Sequence, residues 1–348
     1  MSVTISSLKN PKTEVKVKAA SILWKLIEKN KELQVLAEHY DGVEILSKIV
    51  KNEVSKIELP KEIPIGQVQG PSAMNDIIEA NDPIIFSDNE LSLSESLLYN
   101  TLRALSYIVI SNDSYLKRVI GNGFYKEVIS LLYHPTPKVR SSACLCIGSF
   151  SRADKTAKQP LITEHVQSVL CKLLGDKYME VIENALRALC NLVLECQKEV
   201  IQSTDCIKLL VDLSQSKHFG LKQRAIFALK NLLYQVTTDI KKSVITKLSY
   251  NKLFEFLNDK EHLIQGLALA IIRNLIYNSK DYVQELLAEG GNNKFLNVII
   301  DKTNAINNEV KTEAIYVICN IAAASEKHKK LVMDDRILGQ MVSLLVMD

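Results

Sequence analysis

An eight-residue frame, Ala-x-x-x-Leu-x-Asn-Leu, recurs along the chain and constrains its fold more than any other feature. Its apolar positions are three and four residues apart, which is the spacing of one face of an α-helix. Clear copies place the asparagine at Asn191, Asn231, Asn274 and Asn320. Degenerate copies with the same spacing carry Lys25, Tyr107 and Ser149 in the asparagine position. The frame therefore predicts about seven long helices built on one template.

The distance between successive copies predicts a repeat protein. The asparagine positions are 82, 42, 42, 40, 43 and 46 residues apart, and all but the first interval fit solenoid repeats of two or three helices. Two short apolar segments precede each long helix, so each unit is short, short, long. Gly42, Gly123 and Gly291 fall between the short helices, where we expect turns that need a positive φ. We predict one elongated all-α solenoid over residues 1–348.

One segment departs from this pattern. Residues 52–92 have no sustained helical period and contain four of the eight prolines, at Pro60, Pro64, Pro71 and Pro83. We interpret the segment as a loop inserted in the second repeat, which accounts for the interval of 82 residues. After it the pattern resumes, and it predicts a last short helix over residues 337–346.

Charge and composition disfavour several classes of protein. The net charge is +3 with acids and bases interspersed, which argues against nucleic-acid binding or an anionic membrane surface. No stretch has the pattern of a signal peptide or a membrane span. We expect a soluble protein of the cytoplasm and nucleus, with its seven cysteines as reduced thiols.

The sequence contains no recognisable catalytic or metal-binding pattern. The histidines do not pair with other ligands at metal-site spacing, and we expect them at surfaces or turns: His39, His134, His165, His218, His262 and His328. The Cys144-x-Cys146 spacing is too short for a zinc site, and the other helical cysteines are predicted to be core thiols: Cys171, Cys190, Cys206 and Cys319. We expect no enzymatic activity, cofactor, metal or small-molecule substrate.

The second face of the long helices is the candidate binding surface. Four residues before the asparagine stand Arg187, Phe227 and Tyr316, three residues after it stand Tyr234 and Tyr277, and immediately before it stand Lys230 and Arg273. An asparagine amide can bond the N–H and the C=O of a peptide together, so a row of them would hold an extended chain. The alternative is that the asparagines brace neighbouring helices and that the aromatic residues belong to the core.

The frame, the turns and several longer runs resemble armadillo repeats, most strongly over residues 93–348. The runs that narrow the resemblance are 188–195, 209–216, 228–232, 253–259, 272–275, 310–313 and 318–322. They are similar to the C-terminal half of the armadillo-repeat-containing protein 8 family, the armadillo subunit of the GID/CTLH E3 ubiquitin ligase. The resemblance implies a right-handed α-α superhelix of three-helix armadillo repeats.

That family's subunit is a non-catalytic adaptor. The resemblance implies that this chain bridges RING and CTLH-motif scaffold subunits to a substrate receptor, holds the receptor's C-terminal tail in a concave groove, and so promotes ubiquitination and proteasomal degradation. By register the groove would be lined by Phe227, Asn231, Tyr234, Arg273, Asn274 and Tyr277. Arg224, Lys230 and Arg273 would be partners for the terminal carboxylate of the tail. Phe227 stands where the family more often has tryptophan.

Other non-catalytic functions stay open. The main alternative is another armadillo peptide-binding adaptor, such as a nuclear-import receptor. Such grooves place acidic residues beside the asparagines to bind lysines, whereas Arg187, Lys230 and Arg273 predict a basic groove here. A membrane-attached scaffold is a weaker alternative, because Ser2 leaves no glycine for N-terminal myristoylation.

Overall fold

The computed structural model describes residues 1–64, 91–202, 205–289, 291 and 294–332. The chain divides into two compact units, Met1–Leu221 and Lys222–Asp348. Over the described ranges it is α-helical, with short 3-10 turns and no β-strand. None of the helices in these ranges is long and apolar enough to cross a membrane. The prediction of packed helices is confirmed for this part of the chain.

The first unit follows the predicted order of short and long helices. Its helices are α1 Ser2–Ser7, α2 Thr13–Ile27, α3 Lys31–His39, α4 Gly42–Val54, α5 Leu93–Val109, α6 Asp113–Gly121, α7 Tyr125–Ser130, α8 Pro137–Phe150, α9 Lys155–Thr163, α10 Val166–Leu173, α11 Met179–Leu192, α12 Gln197–Gln202 and α13 Cys206–Leu213. Leu131–Tyr133 and Val193–Glu195 form 3-10 turns at the ends of α7 and α11. Helix α4 continues to Val54, so the first residues of the predicted 52–92 loop are helical.

The long helices of the first unit pack side by side. Helix α5 lies against α2 and α8, and α8 lies against α11. The apolar frame residues are the reason, since Ala143, Ile147, Ala185 and Leu189 are fully buried. Each such side chain contributes on the order of 1 to 3 kcal/mol when it leaves water. The stripe that defines the frame is therefore what joins the repeats.

The turns differ in one respect from the sequence prediction. Gly123 has a positive φ of 72°, as expected for the turn between two short helices. At the preceding turn the positive φ belongs to Asp41 instead, and Gly42 is the first residue of α4. Gly42 is required for a different reason: a Cβ there would lie 2.7 Å from the carbonyl oxygen of Ala37.

A buried ion pair links two neighbouring repeats of the first unit. The Arg140 guanidinium donates from Nε and Nη2 to the Asp176 carboxylate at 3.1 and 2.8 Å, and both side chains are almost fully buried. Its Nη1 donates to the carbonyls of His134 and Pro135. Asp176 also accepts the backbone N–H of Tyr178. Both charges are therefore paired and hydrogen-bonded, as burial demands.

The second unit continues the same arrangement. Its helices are α14 Phe219–Leu232, which begins just before the unit boundary, α15 Thr238–Leu248, α16 Tyr250–Leu257, α17 His262–Ile276, α18 Lys280–Ala288, α19 Lys294–Lys302, α20 Asn308–Ala324 and α21 Glu326–Val332. The long helices α17 and α20 pack against each other, and α21 packs against α20. Buried frame residues again fill the contact, among them Ala268, Ile272, Ala314 and Ile318.

Two expectations about single residues were wrong. His328 is buried within α21 rather than at a surface or turn, whereas His134, although buried, lies in the connection before α8. Cys319 is exposed, whereas Cys171, Cys190 and Cys206 are buried as predicted, and Cys144, Cys146 and Cys196 are buried too. The predicted helix over 337–346 and most of the predicted loop, residues 65–90, lie outside the described residues.

Candidate functional site

The asparagines of the frame hydrogen-bond to the preceding long helix. The Asn191 amide donates to the carbonyl of Gly148 at 3.1 Å, that of Asn274 to Lys230 at 3.0 Å, and that of Asn320 to Arg273 at 3.2 Å. Asn231 and Asn274 are only 5% and 7% exposed. The frame asparagines therefore brace neighbouring long helices, which is the alternative that the sequence left open. Each of the three amides keeps a second N–H and a carbonyl oxygen, so peptide binding by the asparagines stays a prediction.

A cleft of about 320 Å³ lies in the second unit, beside the C-terminal ends of α14 and α17 and the second half of α20. It is lined by Tyr234, Gln235, Arg273, Asn274, Tyr277, Tyr316, Cys319 and Asn320. Six of these residues are among those that the frame predicted. Tyr234, Tyr277 and Tyr316 are 46%, 47% and 51% exposed, although the apolar frame residues beside them are buried. The cleft therefore presents aromatic faces beside amide groups.

The backbone at the helix ends positions two of these tyrosines. Gln235 and Asn278 directly follow Tyr234 and Tyr277, and both have a positive φ of about 50° in the turns that follow α14 and α17. Lys241 on α15 donates from Nζ to the carbonyl of Tyr277 at 2.7 Å. Burial lowers the pKa of this lysine. A cation at a helix C-terminus is stabilising, because it can hydrogen-bond the last carbonyls and interacts favourably with the helix dipole.

The charged residues of the second face are paired with neighbours. Lys230 lies with Nζ 4.1 Å from the centre of the Phe227 ring, which is itself 37% exposed. The Arg273 guanidinium lies 5.7 Å from the centre of the Tyr316 ring. Its Nη1 also lies 3.1 Å from the Glu313 carboxylate. The groove is thus less basic than the sequence predicted, because a carboxylate faces its arginine.

The remaining predicted residues lie outside the cleft lining. Arg224, Phe227, Lys230 and Asn231 stand on α14, before Tyr234. Arg187 is exposed and Asn191 half-buried on α11, in the first unit. The two sets belong to different compact units.

Sequence reasoning missed three residues of this site. Gln235 follows Tyr234 directly, and Cys319 occupies the position before the asparagine, as Lys230 and Arg273 do. Glu313 stands seven residues before Asn320, as Arg224 stands seven before Asn231. Seven residues are two helical turns, so Glu313 shares a helix face with Asn320. The helical spacing that predicted the tyrosines could therefore have identified these positions as well.

The side chains of the lining define what the cleft can bind. Among the described residues, no group of three or more His, Cys, Asp or Glu side chains is close enough to hold a metal ion. Its lining supplies aromatic faces, amide donors and acceptors, and one guanidinium. These groups suit an extended peptide with exposed main-chain N–H and C=O groups.

Comparison with known proteins agrees with this fold. The family described as the VID28/GID5 C-terminal domain matches residues 197–298, which include α14 and α17. Solved structures that are similar include an engineered protein with a TM-score of 0.69 at 18% identity, covering 99% of this chain and 84% of that one. A designed armadillo repeat protein in complex with the peptide (KR)4 has a TM-score of 0.59 at 20% identity, over 72% and 99% of the two chains. The fold is the all-α armadillo superhelix.

Curated relatives carry two names. GID complex subunit 5 of Schizosaccharomyces pombe is 26% identical over 72% of this chain and 31% of its own length. Armadillo repeat-containing protein 8 of Danio rerio is 28% identical over 66% and 34%, and that of Mus musculus is 25% identical over 93% and 46%. This chain therefore spans less than half the length of these relatives. The family domain and the relatives together show that this chain is homologous to proteins named GID complex subunit 5 and armadillo repeat-containing protein 8, at 25–28% identity.

Proposed function

We propose that this chain is a non-catalytic scaffold subunit of a GID/CTLH-type ubiquitin ligase, and that its second unit holds the extended C-terminal tail of a substrate-receptor subunit. In this role it bridges the receptor to the RING and CTLH-motif subunits and promotes ubiquitination and proteasomal degradation of the substrate. We expect it in the cytoplasm and the nucleus.

The exposed tyrosines of the cleft carry the proposal. Tyr234, Tyr277 and Tyr316 each leave about half of the side chain in contact with solvent, within one cleft. An aromatic residue that becomes buried in an interface contributes more than about 2 kcal/mol in favourable cases. Three such anchors with a few main-chain hydrogen bonds of about 1 kcal/mol each are enough for micromolar binding.

The neighbouring polar groups support an extended guest. Asn274 and Asn320 line the cleft, and each keeps amide groups beyond its bond to the preceding helix. Arg273 lines the same cleft and provides the positive charge. A terminal carboxylate would bind this guanidinium through charge-assisted hydrogen bonds.

Affinity purification with cleft variants tests the proposal. The tagged chain is purified from the cells that express it, and the co-purifying subunits are quantified by mass spectrometry for wild type and for the double variant Tyr234→Ala, Tyr277→Ala. Tyr40→Ala is the matched control, because Tyr40 is 38% exposed but lies in the first unit, outside the cleft.

We expect wild type and the Tyr40→Ala control to recover RING and CTLH-motif subunits together with a receptor. The double variant should retain those scaffold subunits and lose the receptor. Recovery of nuclear-import components without RING or CTLH-motif subunits would reject the ligase assignment. An unchanged receptor yield in the double variant would reject the cleft as its binding site.

A further inference from the structure

One acidic residue faces the only cationic side chain in the lining of the described cleft. Arg273 lines the cleft, and its Nη1 lies 3.1 Å from the Glu313 carboxylate on α20. Glu313 precedes Tyr316 by one helical turn, so the acid, the tyrosine ring and the guanidinium form one cluster. The side chains of Arg273 and Glu313 are 28% and 19% exposed, so water only partly screens the pair.

The charges that act on Glu313 stand on three helices, α14, α17 and α20, and include both signs. Burial raises the pKa of Glu313, and the negative charge of Glu309 adds to this effect. Arg273 and Lys230 oppose both effects, because each cation favours the ionised carboxylate. Glu313 thus offsets part of the positive charge that the groove would otherwise present.

We propose that Glu313 competes with the terminal carboxylate of a bound tail for the guanidinium of Arg273, and so sets how strongly the groove prefers an acidic chain end. This inference rests on the proposed function and assigns it a specificity residue. The competition follows from geometry: Nη1 is engaged by Glu313, and Tyr316 lies close to the guanidinium. A second carboxylate must share Arg273 with Glu313 and is repelled by it, or must displace it.

Removing this competitor should strengthen binding of an acidic chain end specifically. The probe is a synthetic peptide with the last ten or so residues of the receptor subunit that co-purifies, made once with a free carboxylate and once with a terminal amide. Glu313→Gln keeps the shape of the side chain and removes its charge. We expect it to tighten the carboxylate peptide about two- to fivefold, in the range of single partly exposed ion pairs, and to leave the amide peptide unchanged.

Two further variants separate local competition from general electrostatics. Glu309→Gln removes the same charge one helical turn away on α20, from a residue that is exposed and outside the cleft lining. It should change the ratio of the two affinities by much less than Glu313→Gln. In an Arg273→Gln background the Glu313→Gln substitution should no longer favour the carboxylate peptide, because the contested group is gone.

Three results would overturn the inference. Glu313→Gln could strengthen binding of both peptides equally, Glu309→Gln could increase affinity for the carboxylate peptide as much as Glu313→Gln does, or Glu313→Gln could still favour the carboxylate peptide in the Arg273→Gln background. If wild type binds both peptides and Glu313→Gln leaves their ratio unchanged, the inference fails while the proposed function stands. If wild type binds neither, both fail. Circular dichroism checks the fold, and Glu313→Asp, which shortens the side chain by one methylene, should act in the same direction if Glu313→Gln does not fold.

Discussion

Replacing Asn274 by alanine should weaken both the fold and peptide binding. The Asn274 amide is 7% exposed and donates to the Lys230 carbonyl at 3.0 Å. The substitution removes that bond and leaves a small gap between α14 and α17. A buried hydrogen-bond partner left without its donor costs about 1 to 3 kcal/mol. We therefore expect the free energy of unfolding of the second unit to fall by about 1.5 to 3 kcal/mol.

Tyr277→Ala is the matched comparison within the same cleft. The Tyr277 ring is about half exposed, so its removal should change the free energy of unfolding by less than about 1 kcal/mol. The same substitution should weaken a tail peptide at least about tenfold, because the ring is an anchor of the guest. Asn274→Ala thus lowers stability and affinity together, whereas Tyr277→Ala lowers affinity alone.

Urea unfolding followed by far-ultraviolet circular dichroism measures the free energy of unfolding, and calorimetric titration measures the affinity for the tail peptide. The urea midpoint should shift clearly for Asn274→Ala and little for Tyr277→Ala. A midpoint for Asn274→Ala within experimental error of wild type would refute the bracing role of the amide. Affinity that is unchanged in Tyr277→Ala would refute its role as an anchor.

Three further predictions concern the rest of the chain. Asp176→Asn should lower the free energy of unfolding by about 3 to 5 kcal/mol, because it leaves the buried Arg140 charge uncompensated, and urea unfolding measures the loss. Burial lowers the pKa of His134 below its ordinary 6.5, so the folded protein binds a proton at His134 less readily than the unfolded chain does. The free energy of unfolding should therefore fall as the pH drops below about 6.5. In His134→Asn this dependence on pH, measured by unfolding at a series of acidic pH values, should be weaker. An aromatic disulfide reagent should label Cys319 quickly and the other cysteines only on unfolding, and a saturating tail peptide should slow the labelling; equal rates with and without peptide would contradict the cleft assignment.

Helical spacing was enough to predict which side chains share a face. The positions of Tyr234, Tyr277 and Tyr316 relative to the asparagines fix their direction on each helix, and all three line the described cleft. The alternation of short and long helices followed from the same spacing. These features depend only on contacts within one helix and on the apolar stripe.

Spacing could not predict what neighbouring helices supply. Cys190 and Cys319 occupy the same position before their asparagines, yet Cys190 is buried and Cys319 is exposed. The bond from Asn274 to Lys230 and the ion pair of Glu313 with Arg273 likewise join separate helices. Such pairings depend on how successive helices are placed, which the residues of one helix do not determine.

The turn at Asp41 has a similar explanation. The sequence marked Gly42 as the residue with a positive φ, but the positive φ belongs to Asp41. Gly42 is needed because the carbonyl of Ala37 lies too close for any Cβ. A glycine that permits a close backbone approach and one that permits a left-handed turn cannot be told apart by residue type alone.

Calorimetric titration of the purified chain with the C-terminal peptide of its co-purifying receptor subunit tests tail binding in the cleft most directly, for wild type, Tyr277→Ala and the Tyr40→Ala control. We expect a dissociation constant in the micromolar range or below for wild type and for Tyr40→Ala. Tyr277→Ala should bind at least about tenfold more weakly. The same affinity for all three proteins, or no binding by wild type, would contradict tail binding in the cleft.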